Sequence, residues 1–303
     1  MPPLADIGPL PFSWWSVVLN ATQAILVLLP AAGLPLWARR YAGRSWSLTL
    51  PLSISVVVAL LAVLPGAAVG LTWLALVATP LLAAAALGWG AHGARPWLAV
   101  LAVPALVAAM VWEGERAGQV GALLITALSC VALARLLVGA VDTASGATPG
   151  DVEDDTGVSP AARARSAAGR LAGVLPATAW IRIALIAMAV IDAVLVFSGG
   201  LQEPNRALNA AVPAAELPRL QFVQIGTASM GYGDVFVAAV LGALLAAEGA
   251  SRRTQAVAAL ATLGLTTAFD LLFWIQSTLP ATVPVAAAVL LFGGWRGPVR
   301  RSG

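Results

Sequence analysis

The sequence predicts an all-α membrane protein, a bundle of about nine helices that cross a lipid bilayer. Apolar residues make up 60% of the chain, charged residues only 10%, and the mean hydropathy is +0.89, a composition far from that of soluble domains. The apolar residues form windows long enough to cross a hydrocarbon core of about 30 Å. Tryptophans lie near the ends of several windows, where the amphipathic ring favours the headgroup level.

The apolar windows follow one another along the chain. The predicted spans are 14–38, 48–65, 68–90, 97–112, 118–140, 176–198, 222–247, 255–277 and 280–295. The fourth and the ninth are short, and only Pro65 and Gly66 separate the second from the third. Eight or ten spans therefore also fit the pattern.

The arginines predict the orientation of the bundle, because short cytoplasmic loops carry the excess of positive charge. With the N-terminus outside, only Arg116, Arg206 and Arg219 of the 17 basic residues lie on the outer side. We therefore expect an outer N-terminus and a cytoplasmic C-terminus, in the plasma membrane of a bacterium. The first arginine, Arg39, follows the first apolar stretch, so we expect the first span rather than a cleaved leader to direct targeting.

A polar segment divides the chain into two membrane parts. Residues 141–172 are rich in small, acidic and turn-forming residues, which is typical of a disordered cytoplasmic linker. We therefore expect an N-terminal part of five helices over 1–140 and a C-terminal part of four helices over 173–303. A second polar connection, 199–221, contains three prolines and should form an outer loop.

The residue content excludes several classes of function. The net charge of +3 is a small excess rather than a basic patch, so nucleic-acid binding is not expected. The single cysteine, Cys130, and the single histidine, His92, cannot build an internal disulfide or a zinc site. We therefore expect neither a metal nor an organic cofactor.

Two aspartates interrupt apolar stretches in the C-terminal part. Asp192 lies in the sixth predicted span, and Asp234 lies in the seventh, within Gly231-Tyr232-Gly233-Asp234. A carboxylate inside a bilayer costs roughly 2.5 to 3.5 kcal/mol on insertion, which makes it a candidate functional residue. At 1.5 Å of rise per residue, each aspartate lies about 9 Å from the outer end of its span, so the two can face each other.

A facing pair of carboxylates would suit peptide hydrolysis. At low dielectric the two cannot both ionise, so they should share one proton. The ionised partner can then take a proton from an attacking water, while the protonated partner donates to the carbonyl oxygen. Gly231 and Gly233 leave room for an extended substrate strand beside Asp234. Alternatively, these glycines only permit close packing of helices.

These motifs resemble those of the presenilin and signal peptide peptidase family of intramembrane aspartyl proteases. That family has nine spans, with an aspartate in the sixth, Gly-x-Gly-Asp in the seventh and Pro-Ala-Leu at the start of the ninth. The similar residues here are Asp192, Gly231 to Asp234, and Pro280, Ala281 and Thr282. The resemblance covers residues 176–295. It departs from the family at Ile191, where the family has tyrosine, and at Thr282, where it has leucine.

The resemblance implies a presenilin-like bundle in which Asp192 and Asp234 form the catalytic dyad. It also implies that the remaining motif residues contact the substrate, namely Gly231, Tyr232, Gly233, Pro280, Ala281 and Thr282. The outer N-terminus is similar to that of the signal peptide peptidase branch. This orientation implies that type II single-span proteins or signal-peptide remnants in the lipid bilayer are the substrates.

Other functions are open at this point. The prepilin peptidases, another group of aspartyl proteases, also have a Gly-x-Gly-Asp motif, but they place a lysine two residues later, where this chain has Phe236. A proton- or cation-coupled transporter would use Asp192, Asp234 and Asp270 as a carboxylate relay, although the sequence has no internal repeat of the transporter kind. A nonenzymatic scaffold would leave three costly acids unexplained.

Asp270 is a third acid at about the same depth as the other two. We expect it to pair with Arg206 or Arg219 at the outer edge, or to modulate the dyad electrostatically. The alternative is that it is solvated where the eighth helix frays.

The other polar residues inside predicted spans have simpler explanations. Arg135 and Arg182 should snorkel toward the inner headgroups. Asn20 and Gln23, in the first span, should form hydrogen bonds between helices.

Overall fold

The computed structural model of the protein describes residues 13–31, 33–64, 66–91, 94–143, 176–211, 217–274 and 279–292. Within these ranges the chain is mostly helical, as predicted. The elements are α1 (Trp14–Leu28), α2 (Thr49–Val63), α3 (Ala67–Ala85), α4 (Ala102–Val111), α5 (Arg116–Thr143), α6 (Ala177–Phe197), α7 (Gln202–Ala210), β1 (Phe222–Ile225), β2 (Ala228–Gly231), α8 (Tyr232–Ala247), α9 (Arg252–Asp270) and α10 (Thr282–Phe292).

Several of these helices are apolar enough to indicate a membrane protein. In the described part of the chain, four helical segments could cross a membrane by length and composition: Arg44–Val63, Ala67–Gly90, Arg116–Asp142 and Thr178–Phe197. Four shorter apolar segments accompany them: Trp14–Leu28, Pro96–Val111, Tyr232–Ala247 and Thr282–Phe292. Each of the nine predicted windows overlaps one of the described α-helices, with α9 in the eighth.

The first predicted span, 14–38, is not one continuous helix. α1 ends at Leu28, and helical structure resumes only in the 3-10 helix Leu36–Tyr41. Pro30 and Pro35 lie in this interval, and proline lacks the backbone N–H that continues an α-helix. Hydropathy does not reveal the break, because the residues of the interval are themselves apolar.

The seventh predicted span, 222–247, is wrong over its first ten residues. β1 and β2 form an antiparallel hairpin there, with Phe222 opposite Gly231 and Ile225 opposite Ala228. Gly226 adopts a φ of 56° in the two-residue turn, a conformation that favours glycine. An average of hydropathy over a window cannot separate a short apolar strand from a helix.

Two predicted polar segments are also partly helical. Residues Gln202–Ala210, within the connection 199–221, form α7, whose Glu203 and Arg206 make an ion pair one turn apart. Such a pair supports a helix at a surface. α5 continues to Thr143, so the predicted linker begins as helix over 141–143. Its remainder, 144–172, lies outside the described residues.

α8 is the central helix of the bundle. It contacts α1, α5, α6 and α10, and ten of its 16 residues are buried. The approach to α1 is close, because a Cβ built on Gly242 would lie 2.6 Å from the carbonyl oxygen of Val27. Small residues allow helix backbones to approach in this way inside membranes. Its neighbours therefore enclose α8 along most of its length.

An ion pair connects α6 to the far end of α8. The guanidinium of Arg182 donates to the carboxylate of Glu248, which directly follows α8. Arg182 is only 5% exposed, so the prediction that it snorkels is wrong, and the physical reason is a partner within reach inside the protein. Burial raises the pKa of Glu248, and the Arg182 charge opposes that rise. Arg135 also contacts protein, donating to the backbone carbonyl of Gly33 at 2.9 Å.

Candidate active site

Asp192 lies on the buried side of α6, near its C-terminal end, and is 6% exposed. Its Oδ2 accepts a hydrogen bond of 2.6 Å from the hydroxyl of Thr282, and the carboxylate also accepts one from the backbone N–H of Thr282. Thr282 is the first residue of α10, where an α-helix leaves its N–H groups without internal partners. The start of α10 is therefore joined to Asp192 by two donors.

Asp234 lies in the first turn of α8, beside the glycines of the motif. The backbone N–H of Gly231 donates to its carboxylate. A Cβ built on Gly231 would lie 3.1 Å from Oδ2 of Asp234, whereas one on Gly233 would meet only Cε of Met188, at 3.8 Å. A side chain at 231 would therefore crowd the carboxylate, while a methyl group at 233 would make an ordinary contact.

The two carboxylates converge where the hairpin enters α8. The charge of Asp192 acts on Asp234, so the two groups lie within electrostatic reach of each other. α6 and α8 run antiparallel, since Arg182 meets Glu248 at one end and the aspartates meet at the other. The predicted depths treated 222–231 as helix, which is wrong, but the hairpin that replaces it still places Asp234 opposite Asp192.

This arrangement can perform acid–base chemistry. A carboxylate pair at low dielectric holds one proton, so one group can accept a proton while the other gives one. Among the described residues, no group of three or more His, Cys, Asp and Glu side chains is placed to hold a metal ion.

The stretch from Pro280 to Thr282 lies next to Asp192. Pro280 is buried. Its carbonyl accepts a hydrogen bond of 3.1 Å from the N–H of Val283, and this bond begins the first turn of α10. Thr282 is 1% exposed and directs its hydroxyl at the carboxylate. Of the three predicted substrate-contacting residues in this stretch, Thr282 thus has a contact with the dyad itself.

The side chain of Tyr232, another predicted substrate contact, packs against α5. Its hydroxyl lies 2.8 Å from the hydroxyl of Ser129, and its backbone carbonyl accepts a hydrogen bond from the thiol of Cys130 at 3.9 Å. These contacts attach the first turn of α8 to α5. They give Tyr232 a packing role beside the site.

Asp270, the third acid, is bound to α1. Its Oδ2 accepts a hydrogen bond of 2.7 Å from Nδ2 of Asn20. Arg206 is paired with Glu203 instead, so the expected pairing of Asp270 with Arg206 is wrong. The hydrogen bond that Asp270 accepts comes from a neutral amide of α1.

α1 also contacts one of the two candidate catalytic residues, a role that the sequence analysis did not assign to this helix. Nε2 of Gln23 donates to the backbone carbonyl of Asp234 at 3.2 Å. Gln23 is fully buried, and its Oε1 has no hydrogen-bond partner in the described part of the chain. The prediction that Asn20 and Gln23 bond to other helices is confirmed. Their spacing of three residues puts both on one face of α1, which was the available signal for a shared role.

No protein-family model, curated protein or solved structure matches this chain. The assignment of a function therefore depends on the motifs and on the geometry of the two aspartates.

Proposed function

We propose that the protein is an intramembrane aspartyl protease that uses Asp192 and Asp234 to hydrolyse peptide bonds of membrane-spanning segments. The observation that carries this proposal is the convergence of two carboxylates from α6 and α8 inside an apolar bundle. Intramembrane acids are costly, and they mark functional sites for that reason. Acids that share a desolvated site are also those whose protonation is suited to catalysis.

The reaction requires one proton held between the two acids. Water attacks the carbonyl carbon of the scissile bond, the ionised aspartate takes a proton from that water, and the protonated aspartate gives its proton to the carbonyl oxygen. The resulting diol collapses as a hydroxyl proton returns to a carboxylate, the amide nitrogen gains a proton and the C–N bond breaks. Water and one peptide bond are consumed, a carboxylic acid and an amine leave, and the dyad again holds one proton.

The hairpin supports an extended substrate next to the dyad. β1 occupies one edge of β2, and Ser229 and Gly231 of β2 are exposed. Inside a bilayer, an unpaired strand edge is tolerated only where it lines a cavity or meets a protein partner. A substrate strand added to β2 would run toward Asp234, three residues after the end of the hairpin. A side chain at 231 would crowd the carboxylate of Asp234. The glycine at this position therefore keeps the space beside the carboxylate open for a substrate strand.

The order of the helices supports a presenilin-like bundle of nine spans. Counting one helix for each predicted window, α6 and α8 are the sixth and seventh, and α10 is the ninth. This order of the acids and the Pro280 stretch agrees with the resemblance and supports the proposal. Given the orientation predicted from the arginines, we propose type II single-span proteins or signal-peptide remnants as substrates.

A proton- or cation-coupled transporter is the second candidate, and one observation favours it. Asn20 of α1 donates to the carboxylate of Asp270, and Gln23 on the same face donates to the backbone carbonyl of Asp234, so α1 contacts two of the three acidic residues. A relay through Asp192, Asp234 and Asp270 would use that connection. A prepilin peptidase-like activity would use the same dyad on a different peptide.

The deciding experiment is a cleavage assay with purified protein in liposomes. The panel contains type II single-span peptides, type I peptides of the same composition and a prepilin-like leader peptide, with mass spectrometry to locate the cut. Internal cleavage of the type II peptides supports the proposal. Cleavage of the leader alone favours the prepilin peptidase function. No cleavage, together with Asp192-dependent proton or cation flux across the liposomes, would replace the proposal by transport.

Cysteine crosslinking tests the shared site without substrate. Cysteines at 192 and 234, in a Cys130→Ser background, should crosslink through a short bifunctional reagent because the two carboxylates converge. A pair at 183 and 234, near opposite ends of the α6–α8 contact, is the matched negative control. Equal crosslinking of both pairs, or of neither, would contradict the geometry on which the proposal depends.

A further inference from the structure

We infer that Thr282 is a positioning residue that holds Asp192 in its ionised form, which makes Asp192 the base and Asp234 the acid of the dyad. The inference rests on the proposed protease function and assigns the roles that the symmetric description of the dyad leaves open. It also gives Thr282 a function at the dyad, beyond the substrate contact that the sequence suggested.

The contact itself is short and enclosed. The hydroxyl of Thr282 lies 2.6 Å from Oδ2 of Asp192, and the two residues are 1% and 6% exposed. Water therefore competes little for either group. A hydrogen bond to a charged acceptor is stronger than one between neutral groups, so the hydroxyl stabilises the ionised carboxylate more than the protonated one.

The second donor to Asp192 is the backbone N–H of Thr282. It is the first N–H of α10, which is 11 residues long, and the partial positive charge of a helix N-terminus favours a nearby anion. The hydroxyl and the N–H thus act on the same carboxylate from one residue. Asp234, by contrast, receives the backbone N–H of Gly231 and no side-chain hydroxyl among the hydrogen bonds of the described residues.

No other charged group near α6 explains why Asp192, rather than Asp234, should be the ionised member of the dyad. α2 and α10, which pack against α6, contain no ionisable residue, and on α6 itself Arg182 is bound to Glu248. The remaining ionisable groups on elements in contact with α6 are Arg44 before α2, Arg116, Cys130, Arg135 and Asp142 on α5, and Tyr232 and Asp234 on α8. Of these, Asp234 is the group whose charge interacts with Asp192. Apart from burial, the two acids therefore differ in their donors, two from Thr282 for Asp192 and one backbone N–H from Gly231 for Asp234.

Two substitutions separate the hydroxyl from the shape of the side chain. Thr282→Val keeps the volume and removes the hydroxyl, while Thr282→Ser keeps the hydroxyl and removes a methyl group. We expect Val to lower kcat by about 10- to 100-fold with KM nearly unchanged, and to move the acidic limb of the pH–rate profile to higher pH. Ser should stay within about threefold of wild type, because the donor is retained.

A chemical readout tests the same point without turnover. A hydrophobic carbodiimide reacts with protonated carboxyl groups in membranes, and peptide mass spectrometry can follow labelling of Asp192 against pH. In Thr282→Val, labelling of Asp192 should persist to higher pH than in wild type and in Thr282→Ser. Thermal unfolding in detergent checks that each variant is folded.

The outcomes distinguish this inference from the proposed function. If wild type cleaves and Val and Ser behave alike in rate, pH profile and labelling, the inference is overturned while the protease proposal stands. If wild type cleaves nothing, the protease proposal fails, and the labelling still decides whether Thr282 holds Asp192 ionised. If Asp192 is labelled more readily than Asp234 in wild type, the assigned roles are reversed and the inference is overturned.

Discussion

α3 and α8 differ in what surrounds them, and the difference explains where the candidate site lies. The segment Ala67–Gly90, which contains α3, has 24 residues, and only 17% of its most apolar window is buried. α8 has 16 residues, ten of them buried among α1, α5, α6 and α10. A helix that faces lipid needs an apolar surface along its whole length. A central helix can be shorter and can carry an acid, because its neighbours supply the polar partners.

The other short helix of the site, α10, supports the same interpretation. It has 11 residues, and its first residue donates to Asp192 from a helix end that must lie inside the bundle. A helix that began earlier would place this end outside the site. α8 and α10 are thus short helices that begin beside the site, whereas Asp192 lies on α6, which is long enough to cross a membrane.

The largest expected effect is the loss of cleavage when either acid is replaced, compared with no loss at an exposed polar residue. Asp192→Asn and Asp234→Asn should each lower cleavage by about 10²-fold or more, since a neutral amide can neither accept nor give the shared proton. Expression and detergent extraction should be unchanged. Ser55→Ala on α2, an exposed position, is the control and should cleave at the wild-type rate. Substantial activity in either Asn variant would remove that residue from the dyad.

The ion pair between α6 and α8 should have the next largest effect, on stability. Arg182→Met should lower the free energy of unfolding by about 3–5 kcal/mol, because Glu248 is left without its charged partner in a partly buried position. Replacing both residues with Met should recover most of that loss, since no charge then remains unpaired. Thermal unfolding in detergent measures all three proteins. A double variant no more stable than Arg182→Met would show that the pair does not connect the helices.

One glycine on α8 and one on α3 give a matched test of how closely each helix is packed. Gly242→Ala on α8 should lower the free energy of unfolding by about 1–3 kcal/mol, because the added methyl group meets the backbone of α1. Gly70→Ala on α3 has open space around the new Cβ and should cause no loss. If the two variants unfold at the same temperature, α8 is not packed as closely as the structure indicates.

The smallest effect is expected at Gln23. Gln23→Leu removes a hydrogen bond to the backbone of Asp234 but also removes a buried Oε1 that has no partner within the described residues. These contributions oppose each other, so the free energy of unfolding should change by less than about 1 kcal/mol. Cleavage should fall a few-fold if Gln23 helps to place the start of α8. A loss as large as that of Asp234→Asn would indicate a direct role for Gln23 in catalysis.

Local patterns predicted several features correctly. The mostly helical chain and its apolar helices follow from composition and from windows of hydropathy, which depend only on neighbouring residues. The interhelical hydrogen bonds of Asn20 and Gln23 also follow locally, because an amide in an apolar helix must find a partner. The hairpin at 222–231 and the interruption after Leu28 did not follow, because averages over a window conceal both a strand and a proline-rich break.

By itself, the sequence determined that the chain is helical and apolar, and that Asp192 and Asp234 are the acids to consider. The free-energy cost of placing a carboxylate in an apolar segment depends on that residue and its neighbours in sequence. Only the tertiary structure decided the partners: Thr282 for Asp192, Asn20 for Asp270 and Glu248 for Arg182. Each of these pairs joins residues far apart in the chain, so the partner depends on how the helices pack and not on the residues that surround it in sequence.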